Sequence, residues 1–123
     1  IRVIKYHPGT SGLYVLLRYA DVVLMKAEAL MRKGDSGAAL DVVNELRATR
    51  GASALGSLSE QEMLDERGRE LYWEGIRRTD QIRFGTFTTA WSEKANTEAH
   101  RVLFPIPSLA VGSNPNLTQN PGY

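Results

Sequence analysis

From Tyr14 to Gly34 apolar residues recur at helical spacing on nearly every side of the helix they imply. Leu16, Tyr19, Ala20, Val23, Ala27, Leu30 and Met31 make one broad face, and Gly34 stands where a left-handed C-terminal cap is wanted. Only a narrow strip is polar. Arg18, Asp21, Met25, Glu28 and Arg32 succeed one another at steps of three or four, which lines the charges up as a ladder. A helix this apolar must be mostly buried, so the rest of the chain has to build a core around it. Asp35 or Ser36 caps a second helix whose inner stripe is Ala39, Val42, Val43, Leu46 and Thr49, ended by Gly51. Two helices joined this closely form a hairpin. Arg18–Gly51 is 34 residues, the period of a tetratricopeptide repeat, with Ala27 and Ala39 small enough for a close helix crossing. One copy is present, whereas a solenoid needs about three, so the hairpin packs on something else.

The remaining segments follow from their punctuation. Pro8, Gly9, Ser11 and Gly12 make residues 1–13 an irregular lead-in with a short strand expected at Ile1–Tyr6. Ala52–Leu58 is a loop of small residues. Ser59-Glu60-Gln61-Glu62 is a capping box in which Ser59 accepts the Glu62 amide hydrogen. The third helix places Leu64, Leu71, Tyr72 and Ile76 on its apolar side, and Gly75 either admits a close neighbour or breaks the helix. A further helical stretch is expected over Ile76–Phe87. Arg101–Pro107 is expected to be extended, because Pro105 and Pro107 lack amide hydrogens and push their predecessors out of the α region. Asn114-Pro115 and Asn120-Pro121-Gly122 make turns in the tail. The expected fold is all-α, a single domain over 1–123: a tetratricopeptide-like hairpin packed on further helices within 14–90, then a loop and an extended Pro-rich tail over 91–123.

Composition removes several function classes. Lys and Arg number 15 against 14 Asp and Glu, a net charge of +1. That balance lacks the cation surplus a nucleic-acid binder uses to displace phosphate counterions. No apolar run approaches the roughly 20 residues needed to cross a bilayer. The absence of cysteine excludes thiolate chemistry and Cys-based zinc sites. His7 and His100 stand at no metal-ligand spacing and read as surface histidines, so neither metal nor cofactor is expected. Ser11-Gly12 precedes no phosphate-loop pattern, and the Asn116-Leu117-Thr118 sequon is too short to carry weight. The chain opens Ile1-Arg2-Val3 without a starting Met and reads as a fragment.

Charge is densest between Glu60 and Arg83. Glu66, Glu70 and Glu74 recur at i, i+4 and i+8, so on one helix they share a face and repel one another. Such a stripe could be the carboxylate pair of a glycoside hydrolase, which needs carboxyls about 5 Å or about 6.5–9.5 Å apart across a sugar cleft. The simpler reading is a structural ion-pair lattice of Arg18, Glu28, Glu66, Arg67, Glu70, Glu74, Arg77 and Asp80, in which Arg67, Arg77 and Arg18 or Arg32 neutralise the stripe. Eleven of the 15 basic residues are Arg, which favours the lattice, since a solvated surface would be served equally by Lys. Catalytic residues are therefore not expected. Trp73, Tyr72 and Tyr19 fall on helical core positions. Trp91, flanked by Thr88, Thr89, Ser92, Glu93 and Lys94, is the one aromatic in polar sequence and the candidate ligand contact, because a flat ring can stack on the C–H face of a sugar.

Five blocks in order carry a resemblance: Arg18–Leu30 (RYADVVLMKAEAL), Val43–Arg47 (VNELR), Glu66–Leu71 with Glu74–Arg77, Asp80–Gly85 (DQIRFG), and the closing Leu103–Pro107 and Gln119–Tyr123. In this order they resemble the SusD/RagB family, over roughly residues 14–123. Gly68 stands where another charged residue is usual, and Phe84 replaces a Trp. The resemblance implies an α-helical, surface-exposed lipoprotein of the bacterial outer membrane, of the Bacteroidetes kind. Such a protein captures glycan or another nutrient without catalysis and hands it to a SusC-like TonB-dependent transporter. It further implies that this chain is the C-terminal portion, that the lipid anchor and most helices lie upstream, and that this portion serves mainly as scaffold. The alternatives are a glycoside hydrolase using Glu66, Glu70 and Glu74, or a tetratricopeptide-like adaptor for a protein partner.

Overall fold

The computed structural model describes residues 5, 6, 9 and 14–123. The strand expected at Ile1–Tyr6, His7 and the Ser11-Gly12 pair lie wholly or mostly outside these residues. Among the described residues the chain is all-α: five helices, one 3₁₀ turn and an isolated bridge between Trp91 and Lys94, with no sheet. It forms two compact units, Ile1–Asp80 and Gln81–Tyr123.

In the first unit local chemistry sets the helix ends. Helix α1 (Tyr19–Arg32) stops at Lys33, where Gly34 turns left-handed and the Asp35 amide reaches back to the Leu30 carbonyl at 2.9 Å. Helix α2 (Ser36–Thr49) starts on Asp35, whose carboxylate accepts the Ala38 amide at 3.2 Å. The two pack side by side through Leu24, Ala27, Ala39 and Val43, all fully buried. Asn44 then pins the following loop, its side-chain amide accepting from the Leu55 amide (2.7 Å) and donating to the Leu55 carbonyl (3.0 Å). Ser59 caps helix α3 (Glu60–Glu70) by accepting the Glu62 amide at 3.1 Å, and Met63 and Leu64 close the core beside Leu71.

Three expectations are corrected here. Helix α1 is buried on one side only. Asp21 and Glu28, from its polar strip, lie inward with Ala20, Leu24 and Ala27, while Leu16 and Tyr19 stay exposed together with Val22 and Met25. The acids can turn inward because each meets a guanidinium, Asp21 that of Arg67 and Glu28 that of Arg32. Thr49, read as part of the inner stripe of α2, is exposed and donates to the Leu46 carbonyl. The third helix ends at Glu70, well before Gly75. Arg18 donates to the Glu70 carbonyl and Lys5 to the Tyr72 carbonyl, so side chains take the acceptors that a continuing helix would have offered its own amides. The chain then turns through Trp73 (φ 64°) and Gly75 (φ 76°), the latter with the Tyr14 hydroxyl 3.0 Å from where a Cβ would stand. Tyr72 and Trp73 consequently leave the core, stacking on each other with centroids 5.7 Å apart and both rings exposed.

Helix α4 (Arg77–Arg83) is shorter than the expected Ile76–Phe87, because beyond it Gly85 is left-handed and the Thr86 and Phe87 amides both fold back to the Gln81 carbonyl. In the second unit Ala99–Val102 form a 3₁₀ turn, so Arg101 and Val102 are not extended, but Leu103–Pro107 are free of helix. Helix α5 (Ser108–Ser113) falls where the sequence predicts only turns in the tail; Pro107, extended itself, is its N-cap, and its carbonyl accepts the Ala110 and Val111 amides at 2.9 and 3.1 Å. The tail lies along the extended segment. Gln119 accepts from the Ile106 amide and donates to the Ile106 carbonyl, each at 2.8 Å, Asn120 donates to the Phe104 carbonyl (2.7 Å), and the Tyr123 hydroxyl to the Leu103 carbonyl (2.9 Å). Gly122 is left-handed (φ 90°), and a Cβ there would lie 2.5 Å from the ring of His100, which itself meets Tyr123 edge to face.

Both the backbone angle and the ring contact make Gly122 intolerant of a side chain. Gly122→Ala should lower the unfolding free energy of the second unit by about 1–3 kcal/mol, read by hydrogen exchange at the Ile106 amide. Unchanged protection there would mean the tail is not held as described.

Candidate functional site

Arg67, in the middle of α3, is only 2% exposed and lies between two buried aspartates. Its Nε donates to Asp80 Oδ2 at 2.8 Å and its Nη2 to Asp21 Oδ1 at 2.9 Å, tying α3 to α1 on one side and to the start of α4 on the other. The sequence alone places Arg67 among the counter-ions of the glutamate stripe. Adjacent positions on a helix point about 100° apart, so Arg67 cannot serve Glu66 on its own helix and reaches across instead.

The three glutamates of the stripe each meet two cations, all but Arg69 brought in from outside α3. Glu66 is held by Arg47 (2.5 Å) and Arg69 (2.7 Å). Arg50 (2.8 Å) and Arg18 (2.6 Å) hold Glu70. Glu74 receives the Arg18 Nε at 2.8 Å and the Lys5 ammonium. Arg18 thus bridges Glu70 and Glu74, which stand on either side of the turn that ends α3. Glu28 pairs with Arg32 at 2.8 Å. Arg47, Arg50, Arg69 and Lys5 were not singled out from sequence. Arg47 and Arg50 sit at the C-terminal end of α2, where a basic side chain would be placed for the helix dipole alone, so nothing local marked them as partners of residues some 20 positions on.

These contacts set the protonation states. Burial works against the charge on Glu70, but the hydrogen bonds and the attraction of Arg50 and Arg18 outweigh it and lower its pKa below the ordinary carboxylate value. Burial likewise opposes the charge on Arg18 and Arg69, which their carboxylate partners more than offset, raising both. The hydrogen bonds that Arg50 donates to the Glu70 carboxylate raise the Arg50 pKa. A glycosidic acid needs the opposite shift, a carboxyl raised towards neutrality so that it carries a proton to donate. Among the described residues no group of three or more His, Asp or Glu is arranged to hold a metal ion.

Arg77 takes no part in the stripe. Its Nη1 donates to the Leu64 carbonyl at 2.6 Å and its Nη2 stands 3.8 Å from a half-exposed Asp65. The guanidinium lies across α3 where Gly68 leaves room; a Cβ at Gly68 would come within 2.9 Å of it. Around this crossing Arg67, Gly68, Leu71, Trp73, Ile76 and Arg77 border a concavity of about 850 Å³. Trp91 lies in the second unit, in a tight turn where its amide and carbonyl pair with those of Lys94 (3.0 and 2.6 Å). The ring is partly exposed, and the Lys94 ammonium sits 4.2 Å from its centroid, a cation–π contact that occupies one face.

Residues 5–100 match the profile of the SusD family. The chain is 38% identical over 118 residues to the starch-binding protein SusD of Bacteroides thetaiotaomicron, an alignment covering 88% of this chain and 21% of that protein. It is 30% identical over 142 residues to SusD-like protein P38 of Formosa agariphila, covering 100% of this chain and 28% of that protein. The chain therefore spans about a fifth to a quarter of the length of the curated relatives it matches.

Removing Arg67 strands two buried carboxylates, whereas removing Arg77 breaks contacts at a half-exposed surface. Arg67→Met should lower the unfolding free energy by about 3–5 kcal/mol. Arg77→Ala should cost no more than about 1.5 kcal/mol, and urea denaturation at neutral pH distinguishes the two. Acid should act through Glu70. The unfolded chain takes up this proton before the folded one, so stability present at neutral pH is lost as the pH falls below the ordinary carboxylate value of 4.5. Glu70→Gln should be less stable at pH 7 and lose stability less steeply on acidification; an acid limb as steep as in the parent protein would assign the effect to other carboxylates.

Proposed function

The chain belongs to the SusD family, and from that premise we propose that the protein carrying it binds glycan at the bacterial cell surface without transforming it. The chain is its C-terminal portion and serves chiefly as scaffold. The protein is an outer-membrane lipoprotein, anchored by a lipid at its upstream end, and passes its ligand to a SusC-like TonB-dependent transporter. Among the described residues no helix is long and apolar enough to cross a membrane.

The observation that carries the non-catalytic reading is the saturation of the glutamate stripe. Glu66, Glu70 and Glu74 each have two cationic partners, and Glu70 is lowered where an acid catalyst must be raised. The printed name of the relative in Bacteroides thetaiotaomicron favours an α-glucan as the first ligand to try. Within this chain the proposed contact is Trp91. Because Lys94 covers one face of the ring, a sugar stacks on the other face or displaces the lysine.

The intact protein, titrated calorimetrically with maltoheptaose and with a panel of unrelated oligosaccharides, should bind at least one of them saturably and release no new reducing ends from it. Trp91→Ala should weaken that binding by about tenfold, the loss of one stacked ring. Release of reducing sugar that disappears in Glu70→Gln would replace this reading with that of a hydrolase.

A further inference from the structure

Just past the end of α3 two large aromatic side chains stand in solvent. Tyr72 is 47% exposed and Trp73 58%, and their rings stack with planes 13° apart. Trp73 holds its place on a left-handed backbone (φ 64°), which a bulky side chain rarely adopts and which gathers at ligand clamps. Both rings border the concavity of about 850 Å³ beside α3. Its charges are mainly cationic, with Arg67, Arg69, Arg77 and Arg78 against Asp65 and Asp80. Arg69 is engaged by Glu62 and Glu66, and Asp80 by Arg67. Arg77 has no such carboxylate. One of its nitrogens donates to the neutral Leu64 carbonyl, another stands 3.8 Å from Asp65, beyond hydrogen-bond reach, and the side chain is 45% exposed. Arg67 Nη1 is buried without a hydrogen-bond partner, although Nε and Nη2 are both paired. A guanidinium donor left unmade costs free energy that an entering acceptor recovers.

We infer that this concavity is a subsite for an acidic sugar residue of a glycan, one that bears a carboxylate or a sulfate. The inference rests on the reading above that the protein binds glycan, and it adds the class of sugar. The exposed ring of Trp73 takes the C–H face of a pyranose, and the planar fork of Arg77 matches two oxygens of a carboxylate or sulfate. A neutral glucan would use the rings and leave the surplus of positive charge unanswered. An acidic peptide would answer the charge and make no use of two stacked rings. Gly68 gives the fork its room: a Cβ there would lie 2.9 Å from Arg77 Nη1 and 3.2 Å from its Cζ, so any side chain at this position displaces the guanidinium.

The test is calorimetric titration of the intact protein with tetragalacturonate, its methyl ester, a sulfated galactose tetrasaccharide and hexaglutamate. At least one of the two anionic tetrasaccharides should bind, and which one does assigns the carboxylate or the sulfate; if it is the uronate, the ester should bind about tenfold more weakly. Trp73→Gly should weaken that binding by about tenfold while relieving the backbone, so that loss of folding cannot account for it. Arg77→Gln should weaken it by a similar factor. Gly68→Ala removes no contacting group and favours the helix, yet should weaken binding by pushing Arg77 aside. Affinity unchanged in Trp73→Gly or in Arg77→Gln, or equal binding of hexaglutamate, would overturn the inference. So would a protein that binds a neutral oligosaccharide but neither acidic one, which leaves the glycan reading intact; a protein that binds no oligosaccharide at all removes both.

Discussion

A guanidinium enclosed by two carboxylates holds the first unit together. Arg67 reaches Asp21 on α1 and Asp80 on α4 from the centre of α3, so one side chain fixes three elements that the apolar core joins less directly. The hairpin core of Leu24, Ala27, Ala39 and Val43 secures α1 against α2, and burial of that kind tolerates sliding. Two directional hydrogen bonds to buried charges do not. Taking three ions out of water is costly, and the arrangement persists because each carboxylate finds its donor within 3 Å.

The glutamates show the same logic at the surface margin. Arg18 contacts the Glu70 side chain, the Glu70 carbonyl and the Glu74 side chain, and in doing so it both neutralises the stripe and ends the helix. Charge pairing and backbone geometry are one event here. The turn at 71–75 follows from it, and with the turn the outward placement of Tyr72 and Trp73. The three acids of the stripe are thereby each held by two cations.

How much of this could be read from the sequence divides along range. Signals acting within a few residues were legible: the Gly34 cap, the Asp35 and Ser59 hydrogen bonds, and the C-terminal ends of the hairpin helices, whereas the first helix opens at Tyr19 and not at Tyr14. So was the abundance of arginine, but not its pairing. Arg47, Arg50 and Arg67 find partners 19, 20 and 46 positions away, and no periodicity encodes such a distance. The orientation of α1 misled for a related reason. A strip of Arg, Asp and Glu signals solvent unless counter-charges wait inside, and a broad apolar face signals burial, yet Tyr19, Val22 and Met25 are exposed. The loop of Trp91 was recognisable as polar, whereas the lysine over its ring was set by a turn too irregular to foresee.

The tail of the second unit uses an amide side chain where a sheet would use a neighbouring strand. Gln119 satisfies both the donor and the acceptor of Ile106, and Asn120 and Tyr123 occupy the carbonyls of Phe104 and Leu103. An extended apolar run such as Leu103-Phe104-Pro105-Ile106 would otherwise offer an open ribbon edge on which a second molecule could nucleate. With its hydrogen-bonding groups already engaged and prolines interrupting the rest, the segment is sealed against templated aggregation, a useful property at high local concentration.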